Sequence, residues 1–187
     1  MSQGQVRIIG GEWRGRKLIV PDVPNLRPTP DRVRETLFNW LAPVIAGAYC
    51  LDPFAGSGVL GFEALSRGAS GAVMVDESHE VMKCLQEEAQ RFKANNLEIY
   101  RARAPHELKT PEKPFDIVFL DPPFQLHLLI PTCFYLEDNH FLANDAYIYL
   151  EAKDTIAENE LPPNWRLIKS KKAGQVAYHL ALRKEAL

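Results

Sequence analysis

The residues best suited to chemistry fall in two short runs, both rich in oxygen acceptors. The first is Asp52-Pro53-Phe54-Ala55-Gly56-Ser57-Gly58, with Asp76 further along the chain. Glycines directly after a strand let the backbone turn tightly and approach a ligand that a Cβ would exclude. Gly56, Gly58 and Gly61 keep the G-x-G-x-x-G spacing, and Asp76 lies at about the 20-residue distance of a ribose-binding acid. That spacing alone does not separate NAD from other adenosine cofactors. Asp52 is more informative, because a carboxylate directly before the glycines would repel a pyrophosphate. It suits a cation instead, such as the ammonium and sulfonium of S-adenosylmethionine. The second run is Asp121-Pro122-Pro123-Phe124. Two prolines force an extended turn and remove two N–H donors, leaving the Asp121 carboxylate and the Pro122 carbonyl as an acceptor-only corner. Such a corner fits a planar amine that donates two N–H bonds while its ring stacks on Phe124. Held this way, the nitrogen lone pair is aimed at an electrophilic methyl group, and catalysis comes from positioning and electrostatics.

Both runs need strand ends to carry them, and the sequence supplies these. Residues 48–52, 71–76, 97–100, 115–121 and 146–151 read as strands, and Asp52, Asp76 and Asp121 close three of them. Helices are predicted over 58–67 and 78–94. Thr29-Pro30-Asp31 reads as an N-cap, a first-turn proline and a first-turn acid, ahead of a helix with Val33, Leu37, Phe38 and Leu41 on one face. Residues 165–183 read as a closing hairpin around Gly174, and residues 6–20 as a small hairpin around a Gly-rich turn. Repeated βα units imply a doubly wound α/β sheet with right-handed crossovers. Ligands of such sheets bind outside the carboxyl ends of the strands. Residues 1–28 are expected to form a hairpin extension with a linker, and residues 29–187 the main domain.

The chain has 187 residues, 46% of them apolar, and a formal charge of −2. That size buries enough surface to fold without a metal or disulfide staple. No apolar run reaches the roughly 18 residues of a membrane span. Cys50, Cys84 and Cys133 are isolated, so a reduced, cytoplasmic compartment is expected. The average charge argues against nucleic acid, but its distribution does not. Residues 1–40 hold seven basic and four acidic side chains, a balance of +3. Residues 166–187 hold six and one, a balance of +5, which leaves −10 for the middle. Basic ends on an acidic core suggest an interaction surface. There is no Walker loop, no G-x-S-x-G elbow and no H-E-x-x-H, and the five histidines lack metal-ligand spacing.

Taken together, RIIGGEWRGRKL, LRPTPDRVRETLFNWL, CLDPFAGSGVLGFEALSRGA and FDIVFLDPPF resemble the RsmD family of bacterial methyltransferases, over about Arg7 to Glu151. Members methylate a guanine N2 in small-subunit ribosomal RNA with S-adenosylmethionine. The resemblance implies a Rossmann-like class I methyltransferase with a seven-stranded, mostly parallel sheet and a terminal antiparallel hairpin. It implies that Asp52, Gly56 and Gly58 line the methionine end of the cofactor and that Asp76 binds its ribose. Asp121 and Pro122 would hold the guanine amine, and Thr29 and Arg34 would help close the cofactor pocket. The segment with Arg7, Gly10, Gly11, Trp13, Arg14, Arg16 and Lys17 would contact RNA, with Trp13 either stacking on a base or anchoring the hairpin through its apolar ring. Two positions depart from the family: Pro53 replaces a common leucine and Asp76 a common glutamate. Arg103 stands where related methyltransferases often carry an adenine-binding acid, so a backbone group near Ala104 is expected to serve the adenine. The expected partner is ribosomal RNA within an assembly particle, bound by a monomer, with no metal and no membrane. The target base is expected to be unpaired or flipped. An adenine-N6 DNA or protein glutamine methyltransferase, and a non-catalytic RNA-binding assembly factor, are the alternatives. A nicotinamide oxidoreductase is a third.

Overall fold

The apolar runs assemble into a single seven-stranded sheet. The computed structural model describes residues 4–24, 26 and 28–184; Arg27 and Glu185 of the charge count lie outside these. The elements are β1 (Gly4–Arg7), β2 (Lys17–Val20), α1 (Asp31–Leu41), β3 (Tyr49–Asp52), α2 (Val59–Ser66), β4 (Gly71–Asp76), α3 (His79–Phe92), β5 (Leu97–Arg101), β6 (Phe115–Leu120), α4 (Leu129–Asp138), β7 (Leu142–Ala152), β8 (Trp165–Ala173) and β9 (Val176–Arg183). The sheet runs β5-β4-β3-β6-β7-β9-β8. Strands β5, β4, β3, β6 and β7 are parallel, and the β8–β9 hairpin joins β7 antiparallel through β9. The fold is the expected α/β class with its terminal antiparallel hairpin. Chain order reverses between β3 and β6, which opens a crevice at their carboxyl ends.

Strands buried on both faces read as continuous apolar runs, and β4 and β6 do so. The β1–β2 hairpin is a separate sheet, yet Val6, Ile8, Trp13, Leu18 and Val20 belong to the same apolar core as α1, α2 and α3. Two features differ from the sequence expectation. Helix α4 went unforeseen, because Pro131 interrupts an otherwise plausible pattern. Pro131 lies in the first turn of α4, where its missing N–H is not needed, and the helix buries Thr132, Cys133 and Leu136. Thr29 is not the cap of α1. The helix begins at Asp31 with Pro30 at its N-cap and no side-chain cap, and the Thr29 hydroxyl turns elsewhere.

Candidate active site

Four carboxylates meet at the carboxyl ends of the central strands. Asp52 ends β3, Asp76 ends β4 and Asp121 follows β6. The fourth is Glu151, near the end of β7. Leu120 pairs with Leu150 in parallel register, so Asp121 and Glu151, next in each chain, stand side by side. No ion pair among the described residues includes any of the four. Burial without a counter-charge disfavours the charged form of each. It pushes Asp52 up to about 7, with the charge of Asp76 adding to the effect and the Phe54 N–H opposing it. Asp76 is also raised by burial, although the N–H groups of Ser78 and Gly56 oppose the shift. Asp121 is raised well above the ordinary range by burial first, then by Glu151 and Asp52. Glu151 is raised by burial, and the Tyr149 hydroxyl, donating to its Oε2 at 2.8 Å, works the other way.

Local bonds fix these groups. Asp76 Oδ2 accepts the Gly56 N–H at 3.0 Å and its Oδ1 the Ser78 N–H at 2.9 Å. Asp76 thus shapes the glycine turn. Gly56 has φ +51°, and a Cβ there would lie 2.7 Å from Leu26 Cδ1. Leu26, from the segment before α1, therefore lies against the turn, and the positive φ is what favours glycine there. Gly58 is the N-cap residue of α2. Thr29 Oγ1 lies 3.5 Å from Asp121 Oδ2, at the outer limit of a hydrogen bond. Pro122 is buried, whereas Phe124 is exposed in a short 3₁₀ turn. Ala104 is buried in the loop after β5, which is tied to β4 by the Ala102 N–H donating to the Asp76 carbonyl. Arg103 is directed away to Glu77, at 3.2 Å, and is largely exposed.

The basic arm is placed differently from its expectation. Trp13, read as a base-stacking aromatic or an apolar anchor, is buried edge-on against Phe92, with ring centroids 5.1 Å apart, and tilted against Phe62. The indole anchors the hairpin because no other side chain on it covers as much apolar surface. Gly10 and Gly11 serve the same docking. The Gly10 N–H donates to Glu63 Oε1 at 2.8 Å, and a Cβ on Gly11 would lie 1.8 Å from the Ser66 carbonyl oxygen. Arg16 lies over the Phe92 ring and donates to the Arg91 carbonyl. Arg7, Arg14 and Lys17 are exposed. A groove of about 590 Å³ is lined by residues that include Trp13, Arg16, Phe92 and Lys93, and no strand-end carboxylate lines it.

Arg34 is fully buried and lies between the arm and the crevice. Its Nε donates to the Thr29 carbonyl at 3.1 Å, its Nη1 to the Arg7 carbonyl at 3.0 Å and to Glu63 Oε2 at 3.2 Å. Its Nη2 donates to Asp31 Oδ1 at 2.5 Å, so each guanidinium nitrogen is bonded to protein and Arg34 shapes the pocket through Thr29. Glu63 also accepts the Ile9 N–H and pairs with Arg67. Sequence reading missed Glu63, Tyr149 and Glu151. Glu151 ends the run AYIYLE as Asp52 and Asp121 end theirs, so the same strand-end rule would have found it. Glu63 is the one acid in the apolar helix VLGFEALS, and a lone acid there calls for buried partners.

The donor set fits a cationic adenosine cofactor: acidic groups that lack ion-pair partners among the described residues, beside a glycine turn of positive φ. Known proteins agree. The family model described as conserved hypothetical protein 95 matches residues 6–182. Ribosomal RNA small subunit methyltransferase D of Escherichia coli (strain K12) is 53% identical over 97% of this chain and 92% of its own. The Haemophilus influenzae protein of the same name is 45% identical over 96% and 94%. The solved structure of Escherichia coli yhhF is 49% identical with a TM-score of 0.89, covering 98% of this chain and 100% of that one. An RNA methyltransferase from Salinibacter ruber, solved with S-adenosyl-L-homocysteine, is 16% identical with a TM-score of 0.65 over 86% and 96%, a likeness of fold. Sheet order, glycine turn and acid-lined crevice define a Rossmann-like class I methyltransferase. The chain belongs to the RsmD family, the small-subunit ribosomal RNA methyltransferases D. No helix among the described residues is long and apolar enough to cross a membrane.

Proposed function

We propose that this protein transfers a methyl group from S-adenosylmethionine to the exocyclic N2 amine of a guanine in small-subunit ribosomal RNA. The observation that carries the reading is the corner after β6, where Asp121, held near Thr29, stands beside the buried, N–H-free Pro122 with Phe124 exposed next to it. The names of the relatives supply the RNA. Bound in the crevice, the cofactor supplies an electrophilic methyl group. Asp52 would hold its ammonium, Asp76 its ribose hydroxyls beside the Gly56 turn, and the backbone near Ala104 its adenine. Asp121 and the Pro122 carbonyl accept the two N–H bonds of the amine, turning its lone pair toward the methyl group. The face of Phe124 supports the base. That geometry is reachable by an unpaired or flipped guanine and not by one stacked in a duplex. Arg7, Arg14 and Lys17, exposed on a hairpin that Trp13 anchors, would contact phosphate, which positions RNA while the pocket selects the base. The enzyme would act as a cytoplasmic monomer on an assembly particle.

The test is incubation with labelled cofactor and small-subunit particles lacking the modification, followed by nucleoside identification by mass. Label in N2-methylguanosine supports the reading. Label in N6-methyladenosine or in a protein glutamine would replace it.

A further inference from the structure

Asp121 and Glu151 are neighbours by construction. Their strands pair in parallel at Leu120 and Leu150, and each carboxylate follows directly in its chain. Each has a single side-chain hydroxyl at hand: Thr29 Oγ1 at 3.5 Å from Asp121, and Tyr149 Oη at 2.8 Å from Glu151. Glu151 is buried, with 6% of its surface exposed. The other titratable groups around the pair are Asp52 from β3, with Asp76 beyond it on β4, Tyr149 on β7, and Tyr178, which pairs with Glu151 from β9. None of these is basic. Two carboxylates in such surroundings do not both ionise readily, because like charges at close range in a buried site repel strongly.

We propose that Asp121 and Glu151 act as one proton-holding pair, which gives up a proton when S-adenosylmethionine binds and takes one back from the methylated amine. The inference rests on the amine-methylation reading above and adds the destination of the proton. Before binding, the pair carries one proton and one negative charge. The arriving cofactor brings a sulfonium charge next to it, and the second carboxylate ionises, releasing a proton to water. In transfer, the nitrogen lone pair forms the C–N bond, the C–S bond breaks, and its electrons remain on sulfur as a neutral thioether. Nitrogen then carries the positive charge and sheds one of its two protons. The loss of the sulfonium charge is the event that restores the proton affinity of the pair, so donor and acceptor change together. One turnover sends one proton to water. The raised proton affinity of both carboxylates, caused mainly by burial, agrees with a shared proton near neutral pH.

The proton is countable by calorimetry in buffers of different ionisation enthalpy. Near pH 7, wild-type protein is expected to release about one proton on binding S-adenosylmethionine, and far fewer on binding the neutral thioether product. Glu151→Gln should lose most of that release, whereas Asp52→Asn should lose only the fraction of a proton that Asp52, raised to about 7, itself gives up beside the ammonium. Should Glu151→Gln fail to fold, Tyr149→Phe serves instead: without the hydroxyl that favours ionised Glu151, release should peak at higher pH. Absence of release by the wild type, or release that vanishes in Asp52→Asn and persists in Glu151→Gln, would overturn the proposal. Methylation of guanine N2 with no proton released on cofactor binding removes the pair and leaves the reaction standing. Proton release with methylation of another amine keeps the pair and removes the guanine assignment.

Discussion

Thr29 Oγ1 stands 3.5 Å from Asp121 Oδ2, although the two residues are 92 positions apart. The same threonine accepts Arg34 Nε through its carbonyl, and Arg34 also donates to the carbonyl of Arg7 on the arm. A short polar chain therefore joins the basic hairpin to the amine corner. Thr29→Val keeps the shape and removes the donor. A donor to a carboxylate favours its charged form, so its loss raises Asp121 further. Methyl transfer near neutral pH should fall several-fold and recover as pH rises, with cofactor affinity little changed. A pH–rate profile whose acidic limb stays where it is in the wild type would disprove the contact.

Trp13 and Arg14 are adjacent in sequence and have opposite fates in the fold. Trp13→Ala should cost about 3–5 kcal/mol of stability, as large-to-small changes at buried aromatics do. Arg14→Ala should leave stability within about 0.5 kcal/mol. If Arg14 contacts a phosphate, its loss should lower the salt slope of RNA binding by about 1. Denaturant unfolding and RNA titration at two salt concentrations separate the two.

Glu63 gathers the Ile9 and Gly10 N–H groups, Arg34 and Arg67 around one buried carboxylate. Glu63→Ala leaves the buried Arg34 with only the half-exposed Asp31 as counter-charge and unpairs the Ile9 and Gly10 N–H groups, which should cost about 3 kcal/mol or more. The hairpin should loosen first, so limited proteolysis is expected to cut within residues 4–20 before the core. Cleavage that begins elsewhere would mean the hairpin is held by its apolar side chains alone.

Stability should also depend on pH in an uncommon sense. Burial lifts Asp52 from 3.8 to about 7, so between those values the folded state holds a proton that the unfolded chain has lost. Where the folded state binds more protons, stability falls as pH rises. Protein without cofactor should therefore melt at lower temperature at pH 8 than at pH 6. Asp52→Asn should lessen that slope, the remainder coming from Asp76, Asp121 and Glu151, and saturating S-adenosylmethionine should oppose it by supplying a positive charge. Thermal melts of both proteins at the two pH values decide the point.

Much of this was legible in the residues. Strand-end acids beside glycines or prolines located the crevice, because period and punctuation fix where a buried parallel strand stops. Pattern did less well where tertiary contacts decide. A tryptophan in a basic hairpin reads equally as a stacking platform or as an apolar anchor, and only the distant Phe62 and Phe92 decide for the anchor. Thr29 has the look of a cap, yet the distant Asp121 takes its hydroxyl. Helix α4 is obscured by Pro131, which is harmless only because it falls in the first turn. Glu151 lay within reach of the same rule that found Asp121.

The amine corner at Asp121 is the centre of the account, and one substitution tests it. Asp121→Ala should be assayed for transfer to unmodified small-subunit particles, with nucleosides identified by mass and cofactor affinity measured in parallel. Removing one preorganised contact of this kind typically costs about 100-fold or more in rate. The expected result is N2-methylguanosine from the wild type, a loss of that order in the variant, and cofactor affinity within a few-fold of normal. Undiminished transfer by Asp121→Ala, or a methyl group found on any other atom, would contradict it.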